Sequence, residues 1–378
     1  MKSIGIIAEY NPFTNGHLYH INKIKEKYKD YAFILVMSSH FTQRGTPTII
    51  DKFSRTELSL KLGIDLVIEL PFPFSTQSAD IFAYGATTIL EHLKVEKIVF
   101  GSESDNIEDL EIIAKTQIEN SDFDNLVKIY SKMGNNYPTA VSNAIYDFTE
   151  KRITTPNDLL GISYIKAILK NKYSLKYETI KRENNYHETS TLGSATSIRN
   201  ALKENIKVDE YIPKEEIQYL TNLHYSDNYF NILKYKIITE DIEKYHTVDE
   251  GIGNLLKKVI NKATTYDELI NLCKTKRYTY NKISRTLNAI LCNFTKEKAN
   301  KFKEIKYIRI LGLNRKGSKY LNTIKKDIEI PIISKITREK DEMLDYEIEI
   351  TKIYDIPFNT NLVKKEFERI IYIGGEND

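Results

Sequence analysis

Short, mainly apolar runs without polar alternation recur along the first half of this chain, each followed by a loop and then a longer segment with helical periodicity. Residues 3–8, 32–37, 65–70 and 97–100 are such runs, and residues 175–181 read as a further strand. Strands without polar alternation are those of a parallel sheet covered on both faces. Residues 51–62, 77–93 and 157–169 carry the helical pattern between them. Strand alternating with helix implies an α/β fold, a Rossmann-like doubly wound parallel sheet. Ligands in such sheets sit at the carboxyl ends of the strands. That singles out three loops: 9–16, 38–45 and 101–105.

From about residue 206 helical periodicity dominates, at 217–223, 251–263, 266–272 and 280–293, with strand candidates at 307–311 and 330–333. The expected organisation is residues 1–205 as a ligand-binding α/β domain and 206–378 as a mainly α-helical, basic domain. Charge separates the halves further. Residues 251–330 hold 19 Lys+Arg against 6 Asp+Glu, a surplus of 13 in a chain whose net charge is +3, so the remainder carries −10. General lysine richness explains the lysines but not the missing acids. A block this basic points to a polyanionic partner. Its interleaved rings, Tyr266, Tyr278, Tyr280, Phe294, Phe302, Tyr307 and Tyr320, can stack unpaired bases, though most are expected in the core. Lys274, Lys276, Arg277, Lys282 and Arg285 are the expected RNA contacts. The two cysteines, Cys273 and Cys292, suit neither a zinc cluster nor a disulfide framework. No leader pattern and no apolar run of roughly 18 residues is present. A reduced, cytoplasmic protein is expected, with no membrane and no stable protein partner.

The loop after the first strand, Glu9-Tyr10-Asn11-Pro12-Phe13-Thr14-Asn15-Gly16-His17, enters a helix. Asn, Pro and Gly suit a tight turn, and Gly16 lets backbone approach a ligand. A helix start there aims N–H groups at an anion. His17 and His20 are three apart and share a face. Both can donate to phosphate oxygens and stabilise a departing pyrophosphate. The bland alternative is a capped helix with surface histidines. A Walker-type Gly-Lys-Ser/Thr ending is absent. In Gly193-Ser194-Ala195-Thr196-Ser197-Ile198-Arg199, one of Ser194, Thr196 or Ser197 caps a helix, and Arg199 offers a fork-shaped donor to phosphate. Arg44, within Gln43-Arg44-Gly45, can hold a carboxylate or phosphate.

Taken together these segments resemble the tRNA(Met) cytidine acetate ligases. The resemblance runs through Gly5–Phe13 with Asn15-Gly16-His17, then Gln43-Arg44-Gly45, residues 65–71, Gly101-Ser102-Glu103, residues 157–161 and Ser194–Arg199. It is thinner beyond residue 200, where Arg277-Tyr278-Thr279 and Ile283-Ser284-Arg285 match best. Ser39-His40 and Ser197 depart from the family's usual residues. The resemblance implies a nucleotidyltransferase-type fold and an enzyme that makes N4-acetylcytidine at the wobble position of elongator tRNA(Met) from acetate and ATP. It maps ATP contacts onto Ile7, Ala8, Glu9, Tyr10, Asn11, Pro12, Phe13, Thr14, Asn15, Gly16, His17, Leu18, Tyr19 and His20, and onto Gly101, Asn157 and Arg182, with Ser194 and Thr196 added from the residue reading. His17, His20 and Arg199 are the expected catalytic residues.

The implied reaction needs no protein nucleophile. Acetate attacks the α-phosphorus of ATP and pyrophosphate leaves; the weakly nucleophilic cytidine amine then attacks the acetyl-adenylate and AMP leaves. Orientation and positive charge carry the first step, and Mg²⁺ is expected as the counter-ion of ATP rather than in a protein cage. An anticodon loop supplies a base that can be splayed out. Competing expectations are a small-molecule adenylyltransferase, a protein-thiol acetate ligase, or an RNA-binding protein without chemistry.

Overall fold

The computed structural model describes residues 1–182, 193–276, 278–337 and 341–374. Among them eight strands form one sheet: β1 (Ser3–Ala8), β2 (Ala32–Ser38), β3 (Leu66–Leu70), β4 (Lys97–Ser102), β5 (Lys176–Lys181), β6 (Ile308–Asn314), β7 (Ile332–Ile333) and β8 (Ile371–Ile373). The order is β5-β4-β1-β2-β3-β6-β7, with β8 also beside β6. Every pairing is parallel except β3 with β6. The five strands expected in the first half are β1–β5, and the two tentative ones farther on are β6 and β7.

The continuous apolar runs divide their side chains by alternation. Ile34, Val36, Leu66, Ile68, Ile98 and Phe100 pack on the face that carries helices Ala79–His92 and Pro156–Asn171. Phe33, Leu35, Met37 and Val67 pack on the other, against helices Asn15–Lys27 and Lys52–Lys61. Each buried side chain of this size contributes about 1.5–3 kcal/mol. Chain order runs outward from β1 through β2 to β3, then crosses over to β4 and β5. The order therefore reverses between β1 and β4, and a crevice opens at their carboxyl ends.

Three helices pack beside that crevice without having been read from the sequence: Ile107–Glu119, Phe123–Lys132 and Tyr137–Thr149. In the second half, Ile252–Val259, Tyr266–Cys273 and Tyr280–Leu291 fall on expected helices. The helix expected at 217–223 is instead a 3₁₀ turn, Lys214–Tyr219. Pro213 opens it, and the Glu216 amide bonds the Pro213 carbonyl at 3.0 Å, one residue short of α geometry. The sheet crosses the division expected near residue 205, since β6, β7 and β8 join the strands of the first half. β6 returns to β3, fixed by a buried cluster. Lys52 lies 2.5 Å from Glu69 and 2.8 Å from Glu366; Arg309 lies 2.9 Å from Glu69 and also pairs with Glu366.

Candidate active site

The loop after β1 is held from every side. Glu9 accepts the Gln43 amide at 2.6 Å, and the Glu9 carbonyl accepts from Arg55 at 2.6 Å. Asn11 accepts the Ile49 amide through its side chain at 2.8 Å, and its carbonyl accepts from Arg199 at 2.5 Å. The Phe13 amide donates to Glu216 at 2.9 Å. The Asn15 amide donates to the Tyr211 carbonyl at 3.0 Å, and its side chain to the Glu210 carbonyl at 2.8 Å. Tyr10 takes φ +46°, a conformation a tyrosine keeps only where its surroundings over-determine it. Asn11–Pro12 is cis. Ile7 and Ala8 end β1 on opposite faces, each packed into a core.

Helix Asn15–Lys27 starts at the Thr14 cap. Thr14 accepts the His17 amide at 3.3 Å, and the Thr14 amide donates back to His17 Nδ1 at 3.0 Å. Nδ1 must therefore be unprotonated, which puts the proton of neutral His17 on Nε2. Burial, then Arg182, then His20 hold His17 near pKa 3; burial and Arg182 hold His20 at about 4. Both are neutral donors at physiological pH. His20 Nε2 is buried and lacks a partner, as a donor awaiting a ligand would be. Tyr10 and Phe13 pack on His17 at centroid distances of 5.1 and 5.6 Å. The helix start offers fewer N–H groups than expected, because Asn15 and His17 spend theirs internally; Gly16 is left exposed at the tip. Leu18 faces the core, and Tyr19 lies under Lys23.

Across the crevice, Gly101 is the penultimate residue of β4. A Cβ there would stand 3.1 Å from Arg182 Cγ, so the arginine stem lies flat on the glycine. The Arg182 amide donates to the Ser102 carbonyl at 2.8 Å and its guanidinium reaches Asn157 at 3.4 Å. Asn157 in turn donates to Glu103 at 2.5 Å. The organiser is Asp158, which falls within the matched segment 157–161 but was assigned no role there. It accepts from Ser102, from Thr155 at 2.7 Å, and from the Glu103 and Ser104 amides at 3.2 and 3.0 Å. The available signal was the run Thr155-Pro156-Asn157-Asp158, a proline-opened helix start with an acid in its first turn.

Ser194, of the three proposed, caps helix Ala195–Lys203 in a reciprocal pair with Ser197. Arg199 turns back from it. One nitrogen holds the Asn11 carbonyl and another bonds Thr196 at 3.0 Å, so this arginine fastens the loop directly. Arg44 is exposed, and Gly45 takes φ +84°. Gly45 packs on helix Tyr280–Leu291 so closely that a Cβ would fall 2.6 Å from the Arg285 backbone, and Ser284 donates to its carbonyl at 3.2 Å.

The expected RNA contacts scatter. Lys274 and Lys276 are exposed. Lys282 is engaged with Asp249 at 3.1 Å and Glu250 at 2.9 Å. Arg285 is half-buried at the seam beside Gly45. Arg277 lies outside the described residues. Of the seven rings in the basic stretch, six are buried and Tyr280 is 41% exposed. No helix among the described residues is long and apolar enough to cross a membrane, and none of their His, Cys, Asp and Glu side chains form a group of three or more able to hold a metal.

Residues 1–369 match the family model described as HIGH Nucleotidyl Transferase. The tRNA(Met) cytidine acetate ligase of Geobacillus sp. (strain WCH70) is 38% identical over 97% of this chain and 98% of its own length. That of Bacillus subtilis (strain 168) is 34% identical over 97% and 95%. Thermotoga maritima TmcAL bound with alpha-thio ATP superposes with a TM-score of 0.89 at 29% identity, over 99% of this chain and 100% of that one.

Proposed function

The chain belongs to the HIGH nucleotidyl transferase family and, within it, to the tRNA(Met) cytidine acetate ligases, and from that membership we propose how its residues serve the reaction. It is an ATP-dependent ligase acetylating tRNA(Met). The finer reading is that acetate and ATP form acetyl-adenylate, and that N4 of the wobble cytidine in the elongator anticodon loop takes the acetyl group. The reading rests on one observation above others: half-buried, neutral His17 and His20 stand at the sheet's reversal point, opposite Arg182.

ATP supplies the activated phosphoanhydride, and Mg²⁺ accompanies it as counter-ion. His17 Nε2–H and His20 Nε2 donate to phosphate oxygens as charge moves toward pyrophosphate. Neutral donors suit this role, since neither proton is given up at working pH. Gly101, Asn157 and Arg182 form the nucleotide's other wall. Arg199 acts through the loop it fastens. Ser194 and Thr196 serve Arg199 and its helix. Exposed Lys274 and Lys276 attract the tRNA backbone, and the exposed ring of Tyr280 offers a stacking surface. Tyr280 shares a helix face with Ser284, which touches the Gly45 loop. Such an enzyme works in the cytoplasm, where tRNA is.

The test is direct. Purified protein, labelled acetate, ATP and bulk bacterial tRNA should yield N4-acetylcytidine only with all components present. Product from ATP and tRNA without acetate would overturn the acetate ligase. Acetate-dependent AMP without acetylcytidine would keep the activation step and move the acceptor elsewhere.

A further inference from the structure

Acetyl transfer to an amine leaves a proton to be removed, and most groups of the crevice are ill suited to take it. The Thr14 amide occupies Nδ1 of His17 at 3.0 Å. With pKa values of about 3 and 4, His17 and His20 are poor bases near neutral pH. Both oxygens of Glu103 are engaged, one by Asn157 at 2.5 Å and the other by the Asp158 amide at 3.2 Å. Asp158 and Glu216 are 1% and 0% exposed, beyond a substrate's reach.

Glu9 differs from all of these. It follows directly on β1, where the strand order reverses, and it is half-buried rather than enclosed. The Gln43 amide holds its Oε1 at 2.6 Å and fixes the orientation of the carboxylate. Oε2 makes no hydrogen bond or ion pair among the described residues and is not sealed from solvent. Arg44, Arg199 and Arg55 face the carboxylate with positive charge. Tyr164, packed on Phe100 of β4 at a centroid distance of 5.6 Å, feels its charge from the other side. Glu9 therefore stands over the carboxyl ends of the strands, between the loop after β2 and the wall formed by β4. Burial raises its pKa above the ordinary 4.5, against the pull of the Gln43 amide and the three arginines, which strengthens it as a proton acceptor.

We propose that the Glu9 carboxylate is the general base of acetyl transfer, receiving the proton of the attacking amine on Oε2. N4 of the cytidine forms a bond to the acetyl carbon as the bond from that carbon to the phosphate oxygen breaks. The electron pair of the broken bond leaves with AMP, and the N4 proton passes to Oε2. The products are a neutral amide and a protonated Glu9, which returns its proton to water before the next turnover. This rests on the acetate-ligase reading above. It gives the Glu9 side chain a part in the second step, distinct from the nucleotide contacts of the loop around it.

The test separates the two half-reactions for wild type, Glu9→Gln and Glu9→Asp. Acetate-dependent exchange of labelled pyrophosphate into ATP reads activation. Transfer of labelled acetyl groups to tRNA, with enzyme in excess over tRNA, reads the second step. Gln keeps an acceptor for the Gln43 amide but has no basic oxygen. Glu9→Gln should slow transfer by about 10²–10⁴-fold and exchange far less, while Glu9→Asp should fall between it and wild type. The wild-type transfer rate should drop as pH falls through the raised pKa of Glu9, and Glu9→Gln should flatten that profile. The facing guanidinium groups of Arg44, Arg55 and Arg199 keep their charge throughout, and buried Tyr164 stays neutral. Thermal melts and ATP binding check that each variant is folded. An equal fall in both half-reactions, or transfer by Glu9→Gln within about threefold of wild type, overturns the inference while the ligase reading stands. A wild type that forms no acetylcytidine overturns the ligase reading and this inference with it.

Discussion

At the scale of single residues, the decisive fact about His17 is which nitrogen carries its proton. The Thr14 amide occupies Nδ1, so Nε2–H points outward, and burial keeps the ring neutral. His17→Ala should lower the rate of AMP formation by about 10²–10³-fold, measured at saturating ATP. In wild type, the same rate should show no ionisation of His17 between pH 5 and 8, because its pKa of about 3 lies below that window. Glu216 behaves in the opposite way. Burial raises it to about 8 from 4.5 while it accepts the Phe13 amide. In the folded chain it stays protonated where the unfolded chain has ionised. Stability is therefore lost as pH rises from about 4.5 to about 8. Glu216→Gln, which keeps the acceptor, should match wild type in melting temperature at pH 4.5 and exceed it at pH 8.5. An equal difference at both pH values would contradict the assignment. The sequence located the histidines by position after the first strand. It did not reveal the tautomer, which depends on a backbone amide three residues away, nor Glu216, whose partner is 203 positions distant.

Among elements, what the sequence made legible followed from burial. β1–β4 were readable because strands covered on both faces are near-continuous apolar runs. β6 was harder to place. Its apolar character was visible, but nothing local shows that it pairs antiparallel with β3. The helices between residues 107 and 149 went unread although their caps, Asn106 and Asn136, are ordinary. The loop after β4 depends on a neighbouring helix for its shape, through Asp158. Asp158→Ala leaves two amides and two hydroxyls without their charged acceptor. It should cost about 1.5–3 kcal/mol in denaturant unfolding and raise KM for ATP more than KM for acetate. Gly45 is constrained twice, by φ +84° and by the Arg285 backbone 2.6 Å from any Cβ. No variant with a side chain there should preserve the seam.

For the whole molecule, the basic surplus of residues 251–330 predicts a tRNA affinity that falls steeply with salt. Replacing exposed Lys274 or Lys276 by Ala should lower the slope of log affinity against log salt by about 1 each if each contacts a phosphate. The buried cluster of Lys52, Glu69, Arg309 and Glu366 predicts no such dependence, because buried charges are little screened. Glu366→Ala leaves Lys52 and Arg309 sharing Glu69 alone, one buried positive charge uncompensated, and should destabilise the fold by about 3–5 kcal/mol at any salt concentration.

That cluster also sets a timetable. Glu69 and Arg309 are 240 positions apart, so β3 has no edge partner until nearly all of the chain has left the ribosome. At about 5–20 residues per second, the nucleotide half waits on the order of 10–50 s with an open strand edge. Synthesis that stalls before β6 leaves that edge open, an aggregation hazard. The strand that covers β3 thus emerges only after the helix carrying Tyr280, so the sheet closes once residues of both halves are present.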